Sequence, residues 1–238
     1  MLAFDPLDPF PLLDEARHSY AEAQAHAALV DEWLGLQTDA IEASLSEWQA
    51  RTVADGQERW AGLPIKSLMT PYTELRLILE ELAPAPGETI VDFGAAYGRL
   101  GFVIAKHAPA VGFIGYELIA PRANEGRRRL EIFAERISGE SGLPRCHLAL
   151  EAADLRAPEF IAPRAEYYFM YDFGSREAID KILAELFELS KSSALTVVGR
   201  GGRTRDAIER HNPWLSQVVE PKHHPHYSIY SSGARRLK

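Results

Sequence analysis

The stretch ETIVDFGAAYGRLGFVIA, residues 88–105, reads as an apolar β-strand, an acid, a turn of small residues and an amphipathic helix. Backbone amides approach a ligand closely only where side chains are small, and such turns often need positive φ, so the small residues after Asp92 point to a ligand cradle at a helix N-terminus. A dinucleotide fingerprint needs small residues in a G-x-G-x-x-G frame. Begun at Gly94, that frame meets Ala96 and then Arg99, and Arg99 breaks it.

The next strand, FIGYE, ends at Glu117, nineteen residues beyond Gly98. An acid at the carboxyl end of a second strand is placed to accept hydrogen bonds from both hydroxyls of a ribose. Farther out, β-branched runs alternate with helical patterns, the signature of a parallel α/β sheet. The expected strands are Thr89 to Phe93, Val111 to Glu117, His147 to Leu150, Tyr167 to Asp172, Ala194 to Gly199, Ser216 to Glu220 and Tyr227 to Ser231. Helices are expected at Arg99 to His107, Pro121 to Ile137 and Arg176 to Leu189. The link Pro221 to His226 is too short for a helix, so the last two strands should pair antiparallel.

Upstream, from about Asp14 to Trp60, helical spacing dominates, through Ala16, Tyr20, Ala27, Val30 and Trp33 and again through Ile41, Leu45 and Trp48. Asp39 with Glu42 resembles a capping box between the two stretches. The chain thus divides into a helical cap or extension, 1–64, and an α/β domain, 65–238. Trp33, Trp48 and Trp60 imply an apolar face larger than a free helical pair keeps exposed. Three roles compete for that face: a lid over the sheet's carboxyl edge, a homodimer contact, or a brace against a sheet face.

Bulk properties exclude several classes. No apolar run approaches the roughly 20 residues of a membrane span. The first fifteen residues carry four acids and three prolines where a secretory signal needs a basic start, and Cys146 stands alone, so a reducing cytoplasm is expected. The 26 basic and 34 acidic side chains leave a net charge of −8, which disfavours nucleic acid as a partner.

With VDFGAAYGRLGFVIA followed by GYEL, the sequence resembles the class I S-adenosylmethionine-dependent methyltransferases over roughly residues 68–232, including a lead-in helix in SLMTPYTELRLILEEL. The pattern D-x-G-x-G-x-G falls on Asp92, Gly94, Ala96 and Gly98, with alanine as the departure. Its methyl is tolerable if φ at Ala96 is negative. A weaker similarity is to the seven-strand protein-lysine methyltransferases. The resemblance implies a Rossmann-like sheet with a C-terminal antiparallel hairpin and S-adenosylmethionine held by Asp92, Gly94, Ala96, Tyr97, Gly98 and Glu117. Asp154, in LEAADL, would meet the exocyclic amine of adenine or else cap a helix. Methyl would pass to an unidentified acceptor, a protein lysine or a small molecule. Rival readings are a catalytically silent cofactor-binding scaffold and a nucleotide-dependent oxidoreductase.

Methyl transfer from a sulfonium needs alignment and dryness more than strong acid–base groups. Asp172, ending the fourth strand, is a substrate-orienting or proton-accepting group or a structural cap. Tyr72 and Tyr97 either wall the transfer channel or pack in the core. GRGGRTR, residues 199–205, reads as a basic turn into a further helix. His223, His224 and His226 are adjacent in a proline-bounded turn and are not expected to bind metal.

Overall fold

A computed structural model describes residues 2–14, 18–45, 69–141 and 147–234. Strand β1, Thr89–Phe93, lies at the middle of the sheet, and its last four residues are buried because parallel neighbours and helices cover both faces. The other strands are β2 Gly112–Glu117, β3 Leu148–Ala152, β4 Tyr167–Tyr171, β5 Thr196–Arg200, β6 Lys222–His223 and β7 Tyr227–Ser231. They form one seven-stranded sheet in the order β3-β2-β1-β4-β5-β7-β6. The first five strands run parallel, whereas β7 pairs antiparallel with β5 and β6 antiparallel with β7. This is the Rossmann-like class I methyltransferase sheet with its C-terminal hairpin. Its order reverses between β1 and β4, which opens a crevice at their carboxyl ends.

The expected sixth strand, Ser216 to Glu220, does not form. A short 3₁₀ turn, Pro213–Leu215, precedes it, and Val218 is 64% exposed, so the segment has no apolar side to bury. The antiparallel partner of β7 lies just past Pro221 instead, where Lys222 and His223 pair with Ile229 and Ser228.

Helices α3 Tyr72–Leu82, α4 Arg99–His107 and α5 Ala120–Ser141 cover one face of the sheet, and α6 Arg176–Ser190 and α7 Gly202–His211 cover the other. Helix α1, Tyr20–Leu34, is set by a capping box in which Ser19 accepts from the Glu22 amide and Glu22 accepts from the Ser19 amide at 3.0 Å. Helix α2 spans residues 38–45, so Asp39 lies inside it and not at its cap.

Phe10, Ala27, Val30, Leu34 and Leu36 share a single core with Tyr72, Phe102 and Phe133 of α3, α4 and α5. Phe10 stacks on Tyr72 with ring centroids 5.0 Å apart and meets Phe133 edge-on. Each such buried side chain contributes about 1.5–3 kcal/mol. Trp33 packs against Phe4 and Phe133, whereas Trp48 and Trp60 lie outside the described residues. Among the described residues no helix is long and apolar enough to cross a membrane.

Candidate functional site

Between β1 and α4 the chain reverses through residues 94–98. Gly94 and Gly98 have φ of +84° and +74°, values that glycine adopts without steric cost. Ala96 also has positive φ, +49°, so the condition of negative φ under which its methyl is tolerated without strain is not met. The amides of Gly94 and Ala95 donate to the Tyr116 carbonyl at 2.8 and 2.9 Å, and the Ala96 amide donates to Oε2 of Glu117 at 2.9 Å. Phe173, just after β4, covers the turn so closely that a Cβ on Gly94 would stand 2.4 Å from its own Cβ.

A narrow cleft of about 30 Å³ lies beside this turn, lined by Asp92, Gly94 and Ala96 from the turn, Met69 and Thr70 before α3, and Tyr171 of β4. The Asp92 side chain is 5% exposed, and no hydrogen bond to its carboxylate is present among the described residues. Burial, and secondarily the charge of Glu117, push its pKa up to about 8.

Glu117 ends β2 beneath the turn. Besides the Ala96 amide it accepts the Ile119 amide on Oε1 at 2.9 Å. Burial raises its pKa against the opposing pull of Arg122, whose Nη1 lies 4.0 Å from Oε1. Arg122 in turn makes a bidentate pair with Glu42 of α2, at 2.8 and 2.7 Å.

Tyr72 and Tyr97 do not line the cleft. The buried Tyr72 hydroxyl donates to Asp31 of α1 at 2.8 Å, and the Tyr97 hydroxyl donates to Glu42 at 2.7 Å. Core packing thus claims both aromatics, because polar partners on α1 and α2 satisfy their buried hydroxyls. Asp172 caps α7: its Oδ1 accepts the Thr204 amide at 2.8 Å, and its own amide donates to Thr204 Oγ1 at 3.0 Å. Asp154 binds the backbone amide and guanidinium of Arg156, whose hydrogen bonds lower its pKa.

Sequence reasoning missed three buried arginines that tie the sheet domain to helices: Arg99 to Asp31, Arg122 to Glu42 and Arg200 to Glu74. Arg200, at the end of β5, also donates through Nη2 to the Tyr20 hydroxyl at 2.9 Å and lies 4.2 Å over the Tyr171 ring. The three histidines turn to different partners: His223 to Ser228 at 2.9 Å, His224 stacked on Tyr227 and His226 against Tyr20.

No protein-family model and no curated protein sequence matches the chain. Solved structures similar to it include S-adenosylmethionine-dependent methyltransferases. The tRNA (uracil-54, C5)-methyltransferase of Pyrococcus abyssi, solved with S-adenosyl-L-homocysteine, is 18% identical, with a TM-score of 0.44 over 67% of this chain. This chain spans 37% of that protein's length, and 48% of the length of TrmN from Thermus thermophilus. An RNA methyltransferase from Salinibacter ruber, also with S-adenosyl-L-homocysteine, is 16% identical, covers 71% of this chain and 99% of its own, and has a TM-score of 0.47. A TehB-like methyltransferase from Corynebacterium glutamicum is 12% identical over 83% of this chain and 100% of its own, also at 0.47.

Proposed function

We propose that the chain is an S-adenosylmethionine-dependent methyltransferase whose cofactor lies at the carboxyl ends of β1 and β4, reaching Glu117 at the end of β2. The observation that carries this reading is Asp92. A carboxylate buried without a donor is costly, by several kcal/mol, and this one faces the cleft. The α-ammonium and sulfonium of the cofactor are cations of the kind that would satisfy it. Glu117 fits the same ligand. A carboxylate offers about four acceptor sites, and the two amides of Ala96 and Ile119 leave capacity for two ribose hydroxyls.

S-adenosylmethionine supplies an activated methyl group, and the chain's own work is alignment and exclusion of water. Tyr171, Met69 and Thr70 form the wall opposite the turn, where an acceptor would enter. Asp172 and Asp154 belong to structure in this reading, since each carboxylate is taken by local donors. Tyr72 and Tyr97 support the turn from the core. The acceptor remains a small molecule or a protein side chain. The net charge of −8 opposes a polyanion, so the RNA specificities of the similar structures are not carried over.

Arg99, buried against Asp31 where a dinucleotide site needs a third small residue, argues against the oxidoreductase reading. Calorimetric titration with S-adenosylmethionine, S-adenosylhomocysteine and NAD tests the proposal. Binding of the first two without NAD supports it, and selective NAD binding overturns it. Transfer of labelled methyl to metabolite or protein pools of a cell extract separates an enzyme from a silent scaffold.

A further inference from the structure

We infer that Glu42 is a positioning residue for the cofactor: it holds the Arg122 guanidinium away from Glu117 and so keeps that carboxylate free for ribose. The inference rests on the cofactor reading above. It adds a residue from the N-terminal helical region, eighty positions from Arg122, to a site otherwise built from the sheet.

Glu117 and Arg122 are both buried, and they are the natural pair of opposite charges at the end of β2. They nevertheless do not hydrogen-bond, since Nη1 stays 4.0 Å from Oε1. The reason is geometric. Glu42 takes the Nε and Nη2 edge of the guanidinium with both its oxygens, the planar two-point arrangement that arginine favours. The Tyr97 hydroxyl, donating to Glu42 Oε1 at 2.7 Å, fixes the carboxylate in that pose. Tyr97 follows Ala96, whose amide binds Glu117, so the turn and the clamp share one backbone segment.

A buried guanidinium stripped of its partner seeks the nearest carboxylate, because an unpaired buried charge is costly. With Glu42 neutralised, Arg122 would close the gap to Glu117 and occupy acceptor sites that the ribose hydroxyls need. Glu42 therefore acts through Arg122 and need not touch the ligand.

The test uses the full chain and S-adenosylhomocysteine as probe, with affinity read by calorimetry and folding by thermal melting without ligand. Glu42→Gln, close in shape, should bind about tenfold more weakly, the scale of one charge-assisted hydrogen bond. Tyr97→Phe, which only loosens the clamp, should lose about threefold and stay folded. The deciding variant is Glu42→Gln with Arg122→Met. Removing the competing guanidinium should return affinity to within about threefold of the parent. A residue that merely braces the fold predicts the opposite, additive losses in the double variant, and that result overturns the inference, as does unchanged affinity in Glu42→Gln. If the parent chain itself does not bind S-adenosylhomocysteine, the cofactor reading fails first and takes this inference with it.

Discussion

Arg99, the first residue of α4, donates through Nε to Oδ1 of Asp31 on α1 at 3.2 Å and through Nη1 to the Thr70 carbonyl at 3.1 Å. The helix that follows the glycine turn is thereby bolted to the N-terminal helix by a fully buried ion pair. Asp31→Ala would leave the guanidinium without a counter-charge and the Tyr72 hydroxyl without an acceptor, at a cost of about 3–5 kcal/mol. Urea unfolding measures this, and a loss below about 1 kcal/mol would mean that Arg99 finds another partner. Replacing both residues by leucine should recover most of the loss.

Ala96 adopts a backbone conformation that costs an alanine about 1–2 kcal/mol. Glycine relieves this but adds roughly 0.4–1 kcal/mol of unfolded-chain entropy. Ala96→Gly is therefore expected to raise stability by a few tenths to about 1 kcal/mol, seen as a higher melting temperature. Ala96→Val should do the reverse, and a less stable glycine variant would show that the methyl makes a worthwhile contact.

Asp92 gives the protein a pH dependence of defined sign. Its pKa is about 8 in the folded state and near the ordinary 3.9 when unfolded. Between those values the folded state holds a proton that the unfolded state has lost. This contribution to stability is complete below about pH 4 and declines as pH rises, by at most about 1.4 kcal/mol per unit, levelling off above pH 8. Asp92→Asn lacks that slope, so its stability relative to the parent should climb from pH 5 to pH 8 in denaturant titrations. Parallel curves would refute the assignment. S-adenosylhomocysteine, which carries an ammonium, should bind the parent more tightly at pH 8 than at pH 6, a trend absent in Asp92→Asn.

Asp172→Ala removes the cap of α7 at a residue with φ of +34°. The expected outcome is a loss of about 1 kcal/mol in stability with cofactor affinity nearly unchanged. A drop of about a hundredfold in methyl transfer from a protein of unaltered stability would instead return Asp172 to the catalytic group.

The strand at Thr89–Phe93 and the helix at Arg99–His107 have the bounds that local pattern predicts, because a β-branched run, a glycine turn and a 3.6-residue period are all encoded within a few positions. Asp92, Gly94 and Ala96 come together at one cleft for the same reason. Tyr72 and Tyr97 stay ambiguous in the sequence because their deciding partners, Asp31 and Glu42, stand 41 and 55 residues away, beyond any periodicity. Likewise nothing local distinguishes an arginine that will be buried against Asp31 from one on a solvated face. The φ of Ala96 is set by the strand and helix ends that its turn must join, and the pairing of β6 by the space left beside β7.

Tyr20 reaches across 180 residues of sequence to Arg200, while Asp31, eleven positions later on the same helix, needs a partner only 68 residues away. During synthesis, therefore, α1 acquires its tertiary partners in two instalments. Its second half can dock once Arg99 has left the ribosome, but its first turn stays without Arg200 until β5 has been translated. Contacts of such long separation form slowly. The start of this helix is thus held back until the far end of the sheet has been made.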